Sequence, residues 1–400
     1  MAEPPVVVVG AGMAGTAAAW AASREGRRVV VVHDRAGASA LYAGLLELEP
    51  SEASRAYAPA KRNHDALNDA DLAAFVAALG TLRLGREHAA TASGVVRATL
   101  GADAAVLDLT PLRGKRIGVA DIGRDDWDAP LIARTLAASP WAEASGTTFV
   151  AVPVKALRAG HERRIPSYDF AALHDEEARR RSLAEALKHA AEELDAWLTG
   201  PWLGLEPDTL SVLRRLLPLP LGETTSPMGG PAGARFESAR DRLLANQRVE
   251  VVRGRLRAVR ALGGRWALDI AGDGGEPDEL EARSVVLATG GIAAGGLLFT
   301  MDPERRERGF TLPFEAPVVV SLDGDVQGGG GSLYGPSLET VGLGALERAG
   351  IHADSSGRPR GLGSSETGLF VAGDAVAGRP RTMLEAAVAG LRTGTVAARV

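Results

Sequence analysis

Four valines in succession, Val6-Val7-Val8-Val9, open the apolar pattern, and glycines at 10, 12 and 15 follow at once. An unbroken β-branched run reads as a strand buried on both faces. Thr16 to Arg24 is Ala-rich and reads as a helix, and Arg28 to Val32 supplies a second apolar strand. Strand, glycine turn, helix and strand within about thirty residues give the Gly-x-Gly-x-x-Gly spacing its βαβ context. The first glycine permits a tight turn, the second lets a pyrophosphate approach the backbone, and the third lets helix pack on strand. The helix N-terminus then faces the anion. Gly10, Gly12 and Gly15 therefore read as a dinucleotide site, the alternative being a βα turn that has lost its ligand. An acidic residue at the end of the second strand ordinarily holds the adenosine ribose. Here His33 takes that place and Asp34 follows. Either Asp34 serves from one step later or another group holds the ribose.

Two later segments repeat the pattern of a buried strand ending in small residues. Ala282 to Gly291 ends in Thr289-Gly290-Gly291, and Gly368 to Ala375 ends in Gly373-Asp374-Ala375, with a helix predicted over 383–399. A carboxylate at the sheet edge accepts hydrogen bonds from a polyol, and the helix dipole beside it favours negative charge. These segments predict a discontinuous nucleotide-binding domain over 1–50, 225–297 and 361–400. Within 232–272 the pattern predicts a helix, strands at 249–252, 256–261 and 266–270, and a hairpin turn at Gly263-Gly264. Residues 272–281 read as a polar loop. Residues 51–224 read as a large α/β or α+β insertion, with helices over 69–79, 127–138 and 169–198 and strands over 115–122 and 147–154. Arg179-Arg180-Arg181 reads as a solvated helix face. Residues 298–360 form a second excursion, and Gly328 to Gly331 within it reads as a loop. The fold class expected is α/β, with an FAD/NAD(P)-binding Rossmann-like domain of the glutathione-reductase type.

Length and composition narrow the chemistry. Four hundred residues fit two domains, and 46% apolar with 24% charged residues is an ordinary globular balance. A net charge of −5 gives no basic surface for nucleic acid. The chain has no cysteine, which excludes a redox disulfide, a thiol nucleophile and cysteine-held iron–sulfur clusters within it, and fits a reducing cytoplasm. The first residues carry Glu3 and two prolines where a signal peptide would be basic, and the longest apolar stretch contains the glycine fingerprint, so neither a leader nor a membrane span is expected.

The fingerprint, the late Ala-Thr-Gly-Gly strand and the terminal Gly-Asp strand together resemble the glutathione-reductase-like FAD/NAD(P) flavoproteins. Within them the chain resembles the B subunit of anaerobic glycerol-3-phosphate dehydrogenase, over most of its length. Ser39-Ala40-Leu41 with Gly44, Lys115-Arg116-Ile117-Gly118-Val119, Leu217-Pro218-Leu219-Pro220, Leu287 to Gly291 and Gly368 to Gly373 carry the resemblance. It implies oxidation of sn-glycerol 3-phosphate to glycerone phosphate beside a catalytic flavoprotein subunit and an iron–sulfur subunit. Electrons would pass to a quinone, and the chain would be cytoplasmic, peripheral on the inner face of the membrane. It implies a non-covalent flavin, and because the glycine fingerprint fits an adenine dinucleotide, FAD is expected rather than FMN. The residue that carries a covalent flavin in the related succinate dehydrogenases would fall near Ala40, where there is no histidine, so the flavin is expected to be non-covalent. Carried over by residue, Gly10, Gly12 and Gly15 face the pyrophosphate and Ser39 and Ala40 lie toward the flavin side. Gly290 lines the cofactor, Asp374 after Gly373 holds the ribityl chain, and Thr382 and Met383 approach the ring by backbone.

Catalytic residues are less legible. A phosphate or dicarboxylate substrate needs arginine clamps. Arg124, Arg235, Arg379 and Arg381 are candidates, the last two standing just before the terminal helix. His64, His88 and His161 are possible acid–base groups, and Glu223-Thr224-Thr225-Ser226 a possible cleft wall. No metal site is expected. Two other functions fit the same sequence: a stand-alone fumarate-reductase-like flavin enzyme acting on a small anion, and a non-enzymatic nucleotide-binding scaffold.

Overall fold

The computed structural model describes residues 3–46, 70–272, 277–301, 308–322, 349–363 and 367–400. They divide into two compact units, one made of 1–39, 50–75 and 240–400, the other of 40–49 and 76–239.

The first unit is built on a seven-stranded sheet. Strand β1 (Val6–Val9) lies between β2 (Val29–His33) and the strand Ser284–Leu287, parallel to both, and Leu369–Val371 extends the parallel set. On the other side Glu250–Leu262 pairs parallel with β2 and then turns back at Gly263-Gly264 into Arg265–Gly272, its antiparallel partner. The polar loop expected over 272–281 is instead partly a strand, Pro277–Ala282, on the outer edge of this meander. Leu280 opposite Leu268 and Ala282 opposite Trp266 pack into the core, while Glu279 and Glu281 are exposed, and two apolar residues are too few to mark the strand in the sequence.

Val6–Val9, Val29–His33, Ser284–Leu287 and Leu369–Val371 are buried throughout, and alternate valines serve opposite faces. Val6 and Val8 pack with helix α1 (Met13–Arg24) and the terminal helix Met383–Arg399, while Val7 and Val9 pack with the meander and Ile351. The two helices cross with their backbones close. A side chain at Gly390 or Gly394 would strike the carbonyl of Ala14 or Ala18. The described residues of 298–360 fall within this same unit.

The second unit is an α/β layer around four parallel strands, in the order Thr148–Pro153, Arg116–Asp121, Ala196–Thr199, Leu221–Glu223. Helix Ala129–Ala137 covers one face, and Ser167–Leu173, Glu177–His189 and Pro207–Leu216 contribute to the core on the other. The single helix expected over 169–198 is thus two helices and a strand. The break falls at Asp175, whose carboxylate accepts from the amides of Leu205 and Glu206 and from Thr209 Oγ1. Ala196-Trp197-Leu198 is fully buried and belongs to the sheet. Nor is the arginine run a uniform solvated face. Arg179 is buried against Glu162, Arg180 donates to Thr209, and Arg181 alone pairs on the surface with Glu177.

His174 sits in this core, 3% exposed, edge-on to Phe170, with Nδ1 2.7 Å from the Trp202 carbonyl. Burial pushes its imidazole down from 6.5 to about 4, so the folded ring stays neutral where the unfolded one takes up a proton. Stability is therefore complete above the unfolded value and is lost as pH falls from about 6.5 toward 4, by up to ~3 kcal/mol. Urea midpoints across that range are expected to show this loss, and His174→Gln, which keeps a donor for the carbonyl, is expected to flatten it. An equal slope in both proteins refutes the assignment.

Candidate functional site

The carboxyl ends of four parallel strands are tied together. Gly10 N donates to Val32 O at 2.8 Å, Ala288 N to Val9 O at 2.8 Å, and Ala372 N to Leu287 O at 3.0 Å. Gly10 has φ +108°, and a Cβ there would strike the Ala288 carbonyl. A Cβ on Gly15 would fall onto the carbonyl of Gly10, so the first turn of α1 rests directly on the strand. Gly12 differs, because a Cβ there would meet only Ser39 Oγ, at 3.2 Å. It caps α1 without a side-chain bond, and the first turn holds no acidic residue. Ser39 Oγ accepts from Met13 N at 2.9 Å. The helix start is thus open to an anion at Gly12 and organised by Ser39 beside it.

A cavity of about 1110 Å³, its open mouth included, lies along this edge, wholly within the first unit. It runs from the glycine turn past the end of β2 to the start of the terminal helix. Gly10, Gly12, Asp34, Ser39 and Gly290 line it. So do Asp374, Arg381, Thr382 and Met383. Gly15 and Gly373 are not part of the lining; Gly373 makes room for Ala14. Ala40 does not line it either, and its carbonyl abuts Gly233. His33, noted above only as standing in the usual place of the ribose acid, and Arg35, Arg255, Thr289 and Phe314, not expected at the site, also line the cavity. His33 and Thr289 had a signal, each standing at the end of an apolar run. Arg255 and Phe314 had none, since only the meander brings them here.

The lining is polar where a ligand must be polar. His33 Nε2 and Thr289 Oγ1 are buried atoms without a hydrogen-bond partner. Phosphates and sugar hydroxyls would satisfy them, and an apolar ligand would not. Burial raises the Asp374 carboxyl above its ordinary range, with the Arg381 guanidinium pulling the other way. Hydroxyl donors of a polyol would favour its charged form.

At the terminal helix, Thr382 Oγ1 accepts from Glu385 N at 3.1 Å. Glu385 is buried in the first turn and Arg379 stands 3.7 Å from it. Arg379, expected at a substrate anion, is not part of the cavity lining and its nearest carboxylate is this one. Arg381 lines the cavity and donates to the Ala349 carbonyl at 2.9 Å. Arg124 is fixed by Asp126 and by the carbonyls of Glu162 and Ile165, and Arg235 by Asp103 and Glu223, all in the second unit. Glu223 is fully buried in that pairing and walls no cleft. His88 meets Thr110, His161 is exposed, and His64 and Gly328–Gly331 lie outside the described residues.

Residues 5–76 match the family described as glucose inhibited division protein A. No curated protein matches the chain. Among solved structures, the GidA-related protein from Thermus thermophilus is 11% identical over 100% of both chains, with a TM-score of 0.33. A flavoprotein/dehydrogenase from Cytophaga hutchinsonii is 12% identical over 100% of this chain and 77% of that one, with a TM-score of 0.35. CabE, an aromatic hydroxylase from angucycline biosynthesis, is 13% identical over 75% of this chain and 34% of its own, with a TM-score of 0.27. The chain spans about a third of the length of the first solved structures it matches. Its first unit has the βαβ start and parallel sheet of a Rossmann-like dinucleotide-binding fold, with the cavity at the carboxyl ends of the strands.

Proposed function

We propose that this chain is an FAD-dependent oxidoreductase with a non-covalent flavin, and within that class a subunit of the anaerobic glycerol-3-phosphate dehydrogenase B type. One observation carries the flavin reading: a single cavity joins the open N-terminus of α1 to Asp374 and the start of the terminal helix. When bound, FAD supplies the electron or hydride transfer. The protein binds and orients it. Gly12 and the α1 amides take the pyrophosphate, Asp374 takes ribityl hydroxyls, and the 382–383 backbone meets the ring. Arg381 places a positive charge beside Asp374, where reduction adds negative charge.

The finer reading draws support from the resemblance. Ser39-Ala40-Leu41, among its more particular segments, lies in a 3-10 turn, Ala38–Leu41, that delivers the Ser39 hydroxyl to α1. Arg124 and Arg235, which a phosphate ester could call on, are engaged by Asp126 and by Asp103 and Glu223 in the second unit, which supports a chain that passes electrons beside a catalytic subunit over one that clamps a phosphate ester itself. A catalytic flavoprotein subunit, an iron–sulfur subunit and a quinone complete the proposal. Among the described residues no helix is long and apolar enough to cross a membrane.

The test is the visible spectrum of the purified chain before and after acid precipitation. Flavin absorbance that passes into the supernatant and runs as FAD is expected. A colourless chain that takes up no added FAD refutes the flavin reading. Bleaching by glycerol 3-phosphate only when the partner subunits are present is expected of the finer one, and bleaching by some other anion in the chain alone overturns it.

A further inference from the structure

His33 ends β2, the place from which a carboxylate commonly holds the adenosine ribose of a dinucleotide. It lines the cavity, is 6% exposed, and its Nε2 is buried without a partner. Asp34, the expected substitute, has its side chain 36% exposed and 3.7 Å from Arg35. His33 Nδ1 lies 3.4 Å from Arg253 Nη1, on the neighbouring strand in register with it, and 3.4 Å from the Arg35 carbonyl. Burial, with Arg253 and Arg240 nearby and Asp241 opposing them, keeps the ring neutral. A guanidinium only donates, so its contact uses the Nδ1 lone pair and leaves the ring proton on Nε2. The Arg35 carbonyl favours the other tautomer. A sugar hydroxyl both donates and accepts, so it satisfies Nε2 in either case.

We propose that His33 Nε2 hydrogen-bonds a ribose hydroxyl of the adenosine half of FAD, and that this contact selects FAD over FMN, which has no such half. Arg253 is the positioning residue that orients the ring. The proposal rests on the flavin reading above and names the residue that sets the choice of flavin.

The test titrates the full chain, stripped of flavin, with FAD and separately with FMN, following flavin fluorescence. His33→Val continues the buried valine run of β2 and so leaves the strand intact. It is expected to weaken FAD roughly tenfold to a hundredfold, the loss of one buried hydrogen bond with its partner stranded. FMN affinity should stay within about twofold on the same physical ground. His33→Gln, which restores a donor and an acceptor, is expected to recover part of the FAD affinity. Unchanged FAD affinity in His33→Val, or FAD and FMN affinity falling together, overturns the proposal. If the unaltered chain binds FMN but not FAD, the selection fails while the flavin reading stands; if it binds neither, the flavin reading itself fails.

Discussion

Gly12→Ala is expected to give a folded, colourless protein, whereas Gly10→Ala and Gly15→Ala are expected to damage the fold itself. The three glycines have different surroundings. Gly10 combines φ +108° with the Ala288 carbonyl, so a methyl there meets both backbone strain and a rigid neighbour. Each of these is worth roughly 1–3 kcal/mol. At Gly15 the methyl meets the carbonyl of Gly10, and relief requires α1 to lift from β1, breaking the packing of Ala14 and Ala18 on Val6 and Val8. At Gly12 the backbone has φ −73° and ψ −174°, a conformation any residue adopts, and the nearest atom is a hydroxyl that can turn. The added methyl there occupies the space a pyrophosphate needs in order to reach the helix amides. A drop in FAD affinity of about a hundredfold, with a melting temperature within a few degrees of the parent, is expected for Gly12→Ala. The ratio of flavin to protein absorbance and a thermal melt on all three variants decide the matter. Flavin retained in Gly12→Ala would mean that the pyrophosphate does not lie at this turn.

Arg235→Leu is expected to destabilise the second unit by about 3–5 kcal/mol, as for any buried ion pair that loses one partner. Arg235 is 4% exposed and donates to Asp103 at 3.1 Å, Glu223 at 2.7 Å and the Gly204 carbonyl at 2.8 Å. Burial works against its charge, but Asp103 and Glu223 more than offset that and raise its pKa. Glu223 is itself pushed up by burial, with Arg235 holding it down. Without Arg235 that restraint is gone and Glu223 ionises only at higher pH, while in the unfolded chain it ionises in its ordinary range. The deficit of Arg235→Leu therefore widens as pH rises through the folded value and narrows as pH falls toward the ordinary carboxylate range. Adding Glu223→Gln is expected to recover part of the loss. Urea midpoints at two pH values test both statements, and a deficit independent of pH would show that the loss is one of packing alone.

The strand–turn–helix at the start of the chain was legible because each of its features is local: four valines, three glycines, an alanine-rich helix. The terminal helix was legible for the same reason, with Thr382 capping it and Arg399 closing it. What the sequence concealed depends on partners distant in the chain. Pro277–Ala282 is mostly polar and becomes a strand only because Leu268 and Trp266 wait opposite Leu280 and Ala282. The helix expected over 169–198 breaks where Asp175 finds amides some thirty residues further on. At the site, Arg379 could be placed near the terminal helix from the sequence, but nothing local revealed that buried Glu385 would engage it. His33 was visible as an irregularity; its buried, unpartnered nitrogen needed the fold.

The position of β1 also sets a schedule for making the protein. Its neighbours in the sheet are β2, which follows directly after α1, and Ser284–Leu287, which lies far along the chain, as does the Ala288 carbonyl beneath Gly10. At ribosomal speeds of roughly 5–20 residues per second, the valine run waits some tens of seconds for that second neighbour. During this interval one edge of an all-valine strand stands uncovered, a template for pairing with another nascent chain. Expression at reduced temperature or with added chaperones is thus the condition under which this chain should be most soluble, because the segment most exposed to misassembly is synthesised long before the strand that covers it.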